Sequence, residues 1–344
     1  MKVLVTGGTG YIGSHICVEL LDKGYELVVV DNLSNSKDEV INCIKKITNK
    51  DITFYKIDLR NYEDLRKVFE ANKIEQIIHL AGSKSVGESV SNPVQYYENN
   101  ISSALNILKI MLDFKIKNLI FSSSAAIYDE EETPPFSEKS KIGNCKNPYA
   151  WSKFMIEIIL KDFIKAHKDY KVVSLRYFNP VGAHESYLIG EFTDESPSNL
   201  VPYIDKVATG KLEYLKVFGN DYNTKDGTGV RDYIHVVDLA RGHVEVIKKV
   251  TENGLYIYNL GTGKGTSVLE VIKTYEKSNN VNIPYKIIER REGDLAVSFA
   301  DTHHARKELD FIANKKLSDM CIDSYKWALK KGEIKKWLIK IIYY

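Results

Sequence analysis

Tyr149 and Lys153 are the residues whose types and spacing most directly suggest chemistry. Side chains four positions apart on a helix lie on the same face. A free phenol has a pKa near ~10 and is a poor base at neutral pH, but a nearby ammonium favours the phenolate and lowers that pKa. The spacing therefore predicts a general acid/base in which Lys153 lowers the pKa of Tyr149. The same spacing also arises on solvated helix faces. The neighbouring motifs must therefore decide between a catalytic pair and a solvated surface.

A glycine-rich segment near the N-terminus predicts a dinucleotide-binding turn. The run 2–6 is apolar, which indicates a buried strand, and a helical pattern follows over 11–22. Between the two, Gly8, Gly10 and Gly13 match the dinucleotide fingerprint in the strand–turn–helix context that it requires. Glycines at these positions let the backbone approach a pyrophosphate at the helix N-terminus.

Asp31 distinguishes between the two nicotinamide dinucleotides, NAD and NADP. It follows the predicted strand 26–30 and lies 18 residues after Gly13. An acid about 20 residues beyond the glycines binds the ribose hydroxyls of the adenosine. Since a carboxylate there repels a 2′-phosphate, the predicted cofactor is NAD rather than NADP.

Strands and helices alternate along most of the chain, which is typical of an α/β fold with a doubly wound parallel Rossmann sheet. The predicted strands are 2–6, 26–30, 52–57, 75–80, 117–122, 171–178 and 255–260. The predicted helices are 11–22, 37–48, 61–71, 93–114, 149–167 and 236–249. Residues 180–235 show no long repeating period. We therefore predict an NAD-binding unit of 1–179 plus about 236–262, and a smaller C-terminal α/β lobe of about 180–235 and 263–344 that binds substrate.

The carboxyl ends of the predicted strands identify where a ligand would bind. The strand ending near Phe121 is followed by three serines, 122–124, and the strand 171–178 is followed by Asn179. We expect these segments and Tyr149 to converge at the reactive end of the cofactor. Asp58 follows the third strand and is expected to reach the adenine.

Composition excludes several classes of function. The 344 residues carry 48 basic and 46 acidic side chains, a formal net charge of +2, so no basic surface predicts nucleic-acid binding. A strand that begins at residue 2 leaves no room for a signal peptide, and no apolar run is long enough to span a membrane. The four cysteines lack metal or redox spacing and indicate reduced thiols in the cytoplasm. His79, His235 and His243 lack metal-ligand spacing, and no metal site is predicted.

Taken together, Thr6, the glycines, Ser124, Tyr149 and Lys153 resemble the extended short-chain dehydrogenase/reductases and, within them, the UDP-glucose 4-epimerase (UDP-galactose 4-epimerase) family. The resemblance runs nearly end to end. Its most specific ungapped blocks are 31–33, 87–89, 121–124, 176–183, 219–222, 226–235, 258–263 and 290–294.

The resemblance implies an NAD-dependent isomerase that interconverts UDP-galactose and UDP-glucose through a transient 4-keto sugar. The implied catalytic residues are Ser124, Tyr149 and Lys153. The implied cofactor-binding residues are Gly7, Gly10, Tyr11, Ile12, Gly13, Asp31, Asn32, Asn35, Asp58, Leu59, Lys84, Asn99, Ser122, Tyr149, Lys153 and Tyr177. The implied substrate-binding residues are Lys84, Ser124, Tyr149, Asn179, Asn199, Leu200, Phe218, Arg231, Arg291, Asp294 and Ser298.

Ser298 bears on specificity. In the family that this chain resembles, the residue at this position borders the sugar pocket. A small side chain leaves room for a 2-acetamido group, which a Tyr would crowd. Ser298 therefore predicts that UDP-GalNAc and UDP-GlcNAc are also substrates.

Two other classes of function compete with this hypothesis. Nucleotide-sugar 4,6-dehydratases of the same fold carry an Asp-Glu pair directly after the catalytic Ser or Thr, where this chain has Ala125 and Ala126, and the glutamate of UDP-glucuronate decarboxylases is also missing. A non-catalytic NAD sensor typically lacks the Tyr or the Lys, and both are present here.

Two helical segments predict self-association. The segments 101–114 and 149–167 carry apolar residues on more than one face. The sheet covers only one side of such helices, so a twofold pairing into a four-helix interface, and hence a homodimer, is expected.

Overall fold

The computed structural model describes residues 1–192, 199–291 and 294–342, with side chains described up to residue 331. The described strands are β1 (Lys2–Thr6), β2 (Glu26–Asp31), β3 (Thr53–Lys56), β4 (Gln76–His79), β5 (Asn118–Ser124), β6 (Lys171–Tyr177), β7 (Asn179–Val181), β8 (Leu215–Phe218), β9 (Val230–His235), β10 (Gly254–Leu260), β11 (Gly265–Ser267), β12 (Tyr285–Ile288) and β13 (Val297–Ser298). The described helices are α1 (Tyr11–Asp22), α2 (Glu39–Thr48), α3 (Tyr62–Ala71), α4 (Val86–Ser91), α5 (Pro93–Asp113), α6 (Pro148–Ala166), α7 (Leu200–Ala208), α8 (Val236–Lys249), α9 (Val268–Asn279), α10 (His303–Leu309) and α11 (Leu317–Ile342).

Seven parallel strands form the central sheet in the order β10-β6-β5-β4-β1-β2-β3. The seven predicted strands are these seven, with bounds that differ by up to two residues. The predicted Rossmann-type α/β fold is therefore confirmed.

The sheet is buried on both faces because the middle positions of its strands are consecutive apolar residues, as in 3–5 of β1 and 27–30 of β2. Successive side chains of a strand point to opposite faces. Val3 and Val5 of β1 accordingly lie in a core with α1, α2 and α8. Leu4 lies in a second core with α3, α5 and α6.

The strand order reverses at β1, which has β2 on one side and β4 on the other. Such a switch point leaves a crevice at the carboxyl ends of the strands, where open parallel sheets bind ligands. The glycine-rich turn after β1 and the segment after β4 border this crevice. A Cβ on Gly7, whose φ is +69°, would lie 2.9 Å from the backbone nitrogen of Ala81.

The region 180–235, which shows no period in the sequence, contains regular structure. It includes α7, β8 and β9, and β9 pairs with β7, β11 and β13 in a four-stranded sheet. β8 and β12 form a separate parallel pair. A third core packs these strands against α7, α9 and α11. Its elements are short and separated by Gly- and Asp-rich turns, which hides their periodicity.

Helix α6, which carries Tyr149, starts at a strong N-terminal signal. Asn147 is its N-cap and accepts a hydrogen bond from the Ala150 N–H, and Pro148 is the first helical residue. Both are preferred at these positions, since the cap satisfies a free N–H and proline has none to lose. Tyr149 is therefore fixed in the first turn, next to the end of β5. In the described residues, no helix is long and apolar enough to cross a membrane.

Candidate active site

The glycine-rich turn forms a close-fitting cradle at the N-terminus of α1. A Cβ on Gly13 would lie 2.1 Å from the Gly7 carbonyl oxygen, so only glycine fits. α1 begins after Gly10, which offers no side chain to cap it, and its first turn has no acidic residue. The free N–H groups of this turn, from Tyr11 and Ile12 onward, suit the pyrophosphate of NAD. The described residues therefore fit the predicted cofactor.

Asp31 lies at the end of β2, where its carboxylate could bind the adenosine ribose of a dinucleotide. Its buried carboxylate accepts hydrogen bonds from the N–H of Thr9 and of Leu33, and from the Ser36 hydroxyl. These donors hold the carboxylate at the mouth of the glycine turn. Asn35, in the same loop, is exposed.

The predicted adenine-binding residues differ in their environment. Asp58 accepts a hydrogen bond from Asn32 and several from Arg60, which hold the pKa of this carboxyl at about 2. Asp58 is therefore charged and positioned beside Asn32. Leu59 is buried in the core against α3, so its side chain packs and only its backbone could contact a ligand.

Ser124, Tyr149 and Lys153 lie together at the carboxyl end of β5. The strand extends to Ser124, two residues beyond its predicted end. Lys153 is buried, donates a hydrogen bond to the Ser122 carbonyl oxygen at 2.7 Å, and has its nitrogen 6.0 Å from the centre of the Tyr149 ring. Burial lowers the pKa of Lys153 to about 8.

The electrostatics of Tyr149 differ from the sequence-based expectation. The surrounding protein raises the pKa of the phenol, because burial disfavours its charged form. A hydrogen bond with Ser124 and the positive charge of Lys84 act in the opposite direction. The net shift in the ligand-free chain is therefore upward, opposite to the lowering that the spacing of Tyr149 and Lys153 predicts.

Three further predicted cofactor residues lie after β4, in α5 and at the end of β6. Lys84 forms an ion pair with Glu191 at 2.6 Å, and Asn99 donates a hydrogen bond to the Ser83 hydroxyl. Tyr177 is buried and its hydroxyl lies 2.5 Å from His243 Nε2. Because His243 Nδ1 faces a carbonyl oxygen, Nε2 accepts the hydrogen bond and Tyr177 donates it.

The histidines that the sequence excluded as metal ligands are all buried. His79 hydrogen-bonds Thr6, and His235 pairs with Asp323 while it caps α8. Each therefore packs in the interior.

The substrate-binding candidates form a second group around β8, β9 and β13. The guanidinium carbon of Arg291 lies 3.8 Å from the centre of the Phe218 ring, and Arg231 Nη2 lies 3.5 Å from Asp294 Oδ1. Ser298 pairs with Arg231 in the β13–β9 register. A guanidinium over an aromatic ring suits a flat base joined to a diphosphate, and the Asp294 N–H, which donates to the Arg291 carbonyl oxygen, connects Arg291 to the carboxylate beside Arg231. Residues 292 and 293 of the predicted 290–294 block lie outside the described residues.

The remaining substrate candidates lie at the starts of elements in the lobe. Asn199 is the N-cap of α7 and is exposed, and Leu200 follows it as the first helical residue. Asn179 is the first residue of β7 and is exposed. Both asparagines therefore present amide groups to solvent in the ligand-free chain.

Sequence reasoning missed a buried charged network behind the catalytic residues. Arg176 of β6 donates hydrogen bonds to both oxygens of Glu157 of α6, and the Ser123 hydroxyl donates to the same carboxylate at 2.6 Å. The Arg176 and Glu157 side chains are 1% and 5% exposed. Burial alone would lower the pKa of Arg176, but Glu157 raises it above its ordinary value. An arginine near the end of an apolar strand and a glutamate flanked by isoleucines in α6 were the signals that could have revealed this pair.

Comparisons with known proteins agree with this geometry. The model of the NAD dependent epimerase/dehydratase family matches residues 3–261. The UDP-glucose 4-epimerase of Bacillus subtilis (strain 168) is 53% identical over 328 residues, which cover 95% of this chain and 96% of that protein.

Solved structures show the same relationship. UDP-glucose 4-epimerase from Bifidobacterium longum, in complex with NAD+ and UDP, has a TM-score of 0.94 and 48% identity over 96% of this chain and 99% of that one. The Stenotrophomonas maltophila enzyme, with bound NAD and formylated UDP-arabinopyranose, has a TM-score of 0.95 and 44% identity over 97% and 99% of the two chains.

Proposed function

The chain belongs to the NAD dependent epimerase/dehydratase family, and from this premise we propose that it interconverts UDP-galactose and UDP-glucose by NAD-dependent inversion at C4. The observation that carries the proposal is Tyr149, placed with Ser124 and Lys153 at the mouth of a crevice that also contains the glycine cradle. Near 50% identity to UDP-glucose 4-epimerases over almost the whole chain supports the same reaction.

In this mechanism the chain moves one proton and holds the sugar. Tyr149 takes the proton of the sugar O4, the C4–H bond breaks with its electron pair, and a 4-keto sugar forms. NAD, held by the glycine cradle and Asp31, would supply the hydride acceptor for C4 and the hydride donor for its opposite face. Tyr149 then gives its proton back to O4, which balances the reaction without net oxidation. Ser124 would hydrogen-bond the reacting hydroxyl, and Lys153 would bind the nicotinamide ribose.

The competing dehydratase chemistry is not favoured. Loss of water from C5 and C6 requires an acid and a base beside the keto sugar. Ala125 and Ala126 occupy the turn directly after Ser124 and have no proton to exchange. The same two alanines therefore argue for simple inversion at C4.

The function is tested by incubating the purified chain with UDP-galactose and measuring UDP-glucose, without added NAD and then with it. We expect the reaction to reach the same equilibrium mixture of UDP-galactose and UDP-glucose whichever of the two sugars it starts from. Conversion of neither sugar, with NAD supplied, would refute the proposal, and a panel of other UDP-sugars would then identify the reaction.

We propose that Ser298 extends the substrate range to UDP-GlcNAc and UDP-GalNAc. Its small side chain lies in β13 beside Arg231, which supports a position at the sugar end of the diphosphate. Ser298→Tyr is expected to lower kcat/KM for UDP-GlcNAc at least about tenfold, because a Tyr would occupy the space of the acetamido group, and to change UDP-glucose turnover much less. Ser298→Ala is the matched control. A wild-type chain active on UDP-glucose but inert on UDP-GlcNAc would contradict this extension.

We also propose that the active form is a homodimer joined through α5 and α6. Much of each helix packs into the core, but Leu105, Leu112, Met155 and Ile158 are 38–40% exposed in the single chain. α5 and α6 pack against each other, so these side chains belong to neighbouring helices. An isologous contact between two copies would cover them.

Light scattering tests the dimer. We expect a mass of twice the 39.2 kDa chain. Ile158→Glu should shift the protein towards the monomer, since it would bury unpaired charges at the interface. Lys165→Glu, an exposed change on the same helix, is the control. A monomeric wild type at micromolar concentration would refute the interface.

Two broader proposals complete the assignment. We propose that 1–179 with about 236–262 binds NAD and that about 180–235 with 263–344 binds the UDP-sugar, a division supported by β10, which adds the strand 254–260 to the central sheet. We also propose a cytoplasmic location, supported by the four cysteines, all within the described residues and all unpaired.

A further inference from the structure

The last three residues of β5, 122–124, extend beyond the neighbouring strand on one side. β4 pairs with β5 only as far as His79 and Phe121, whereas β6 pairs with it as far as Tyr177 and Ser124. Within the described residues, backbone pairing therefore holds this end of β5 along one edge only. The position of Ser124 depends on the other groups that bind 122–124.

Helix α6 binds this end of β5 through two of its side chains. Lys153 donates a hydrogen bond to the Ser122 carbonyl oxygen at 2.7 Å, and the Ser123 hydroxyl donates to Glu157 Oε1 at 2.6 Å. Tyr149, Lys153 and Glu157 are spaced four residues apart, so they lie on one face of the helix. Two successive residues of β5 therefore bind two successive turns of the helix face that carries Tyr149.

Glu157 is a fixed acceptor for the Ser123 hydroxyl. Its carboxylate is 5% exposed and accepts hydrogen bonds from Arg176 at 3.1 Å and 2.7 Å, one on each oxygen. Arg176 is also the partner of Ser123 in the β5–β6 register. A carboxylate paired with a guanidinium can only accept, and 2.6 Å is typical of a charge-assisted hydrogen bond from a hydroxyl. Ser123 is therefore bound strongly to a group that is itself held in place.

The side chain of Ser124 is oriented locally, whereas its location is set by the strand. Its hydroxyl oxygen accepts a hydrogen bond from the Ala126 N–H at 3.1 Å, which holds it within the turn that follows β5. This contact does not involve α6. The link from β5 to the face of α6 that carries Tyr149 runs instead through the adjacent residues Ser122 and Ser123.

We propose that Ser123 is a positioning residue, which through Glu157 fixes Ser124 relative to Tyr149. The inference deepens the proposed function and rests on it, because Ser124 and Tyr149 are the groups that would act on the sugar O4. Ser123 is 1% exposed, so it acts through its neighbour and not on the substrate. Without its hydroxyl, the end of β5 loses its side-chain link to α6 and Ser124 shifts away from the geometry that the reaction requires.

Ser174 provides a matched control. Its hydroxyl donates to the same oxygen, Glu157 Oε1, at 2.9 Å, and the residue is as fully buried as Ser123. It lies within β6, where strands pair on both sides, with Phe121 of β5 and Ile257 of β10 as its register partners. Removal of this hydroxyl takes the same partner from Glu157 but frees no strand end. A purely structural role therefore predicts the same result for Ser123→Ala and Ser174→Ala.

The experiment measures kcat and KM for UDP-galactose, with NAD supplied. Ser123→Ala should lower kcat about tenfold and leave KM nearly unchanged, because displaced reacting groups slow the chemical step without weakening binding of the diphosphate. Ser174→Ala should keep kcat within about twofold of the wild type. In a Ser124→Ala background, Ser123→Ala should lower kcat little further, because the residue that it positions has lost its hydroxyl.

Two further variants separate the hydroxyl of Ser123 from the volume of its side chain. Ser123→Thr and Ser123→Val have nearly the same shape, but only threonine keeps a hydroxyl that can donate to Glu157. We expect Ser123→Thr to retain most of the wild-type kcat and Ser123→Val to lose as much as Ser123→Ala. Equal losses in the threonine and valine variants would contradict the proposal.

Three other kinetic results would overturn it: an unchanged kcat in Ser123→Ala, an equal loss in Ser174→Ala, or additive losses in the Ser123→Ala, Ser124→Ala double variant. Hydrogen exchange followed by mass spectrometry gives a readout that needs no turnover. The amides of 122–126 should exchange faster in Ser123→Ala and at the wild-type rate in Ser174→Ala. A wild type that converts no UDP-sugar would refute the proposed function, whereas unchanged exchange in Ser123→Ala would refute the role of Ser123.

Discussion

Tyr149→Phe is expected to lower kcat for UDP-galactose by about 10²–10⁴-fold, the range that a positioned general acid/base contributes. The change removes only the hydroxyl, so the ring keeps its packing in the first turn of α6 and the cofactor cradle is untouched. KM should change little, because the lost interaction acts on the proton in transfer and not on the bound diphosphate. Steady-state kinetics at saturating UDP-galactose provides the measurement.

Tyr285→Phe is the matched control for this loss. Tyr285 is 44% exposed and lies in β12, which pairs with β8 in a sheet separate from the one that contains β5. It should retain wild-type kcat. A Tyr149→Phe variant with a kcat within a few-fold of the wild type would show that another group moves the proton, and Ser124 would be the next residue to replace.

The second large effect concerns stability. Arg176→Met should lower the free energy of unfolding by about 3–5 kcal/mol, because it leaves Glu157 as an uncompensated charge in the interior. The loss should also weaken the packing of α6 on the central sheet, since Glu157 of α6 accepts hydrogen bonds from Arg176, Ser123 and Ser174 of the sheet. The change is measured by urea unfolding, followed by circular dichroism at a fixed NAD concentration. The free energy of unfolding is taken from the first unfolding transition.

Two further variants serve as controls for Arg176→Met. Lys117→Met removes an exposed lysine from its pair with Asp169 and should cost less than about 1 kcal/mol, as surface ion pairs do. Arg176→Met with Glu157→Leu removes both buried charges and should recover part of the stability lost in the single variant. If Arg176→Met unfolds at the same urea concentration as the wild type, the buried pair does not hold α6 to the sheet.

The central sheet was predictable from sequence because its signals are local. Each parallel strand is a short apolar run, and helices with clear starts separate the strands, as Asn147 and Pro148 show for α6. The glycine-rich turn was equally predictable, because only glycine fits there and the glycines themselves mark it in the sequence. A Cβ on Gly13 would contact the Gly7 carbonyl oxygen. The lobe was less predictable because β7, β8, β9 and β13 are short and pair with strands distant in sequence.

The electrostatics of the site were the least predictable. Spacing places Lys153 on the same helix face as Tyr149, but it cannot reveal that the ammonium binds the Ser122 carbonyl oxygen. Nor can it show that Lys84 pairs with Glu191, 107 residues later in the chain. Contacts between residues so far apart in the chain depend on the completed fold.

The most direct test of the account follows the hydrogen at C4. UDP-galactose with deuterium at C4 is converted by the purified chain in ordinary water, and the product is analysed by mass spectrometry and NMR. Because the hydride leaves C4 and returns to the same carbon, the account predicts UDP-glucose that retains its deuterium at C4. Exchange of that deuterium with solvent hydrogen would contradict it.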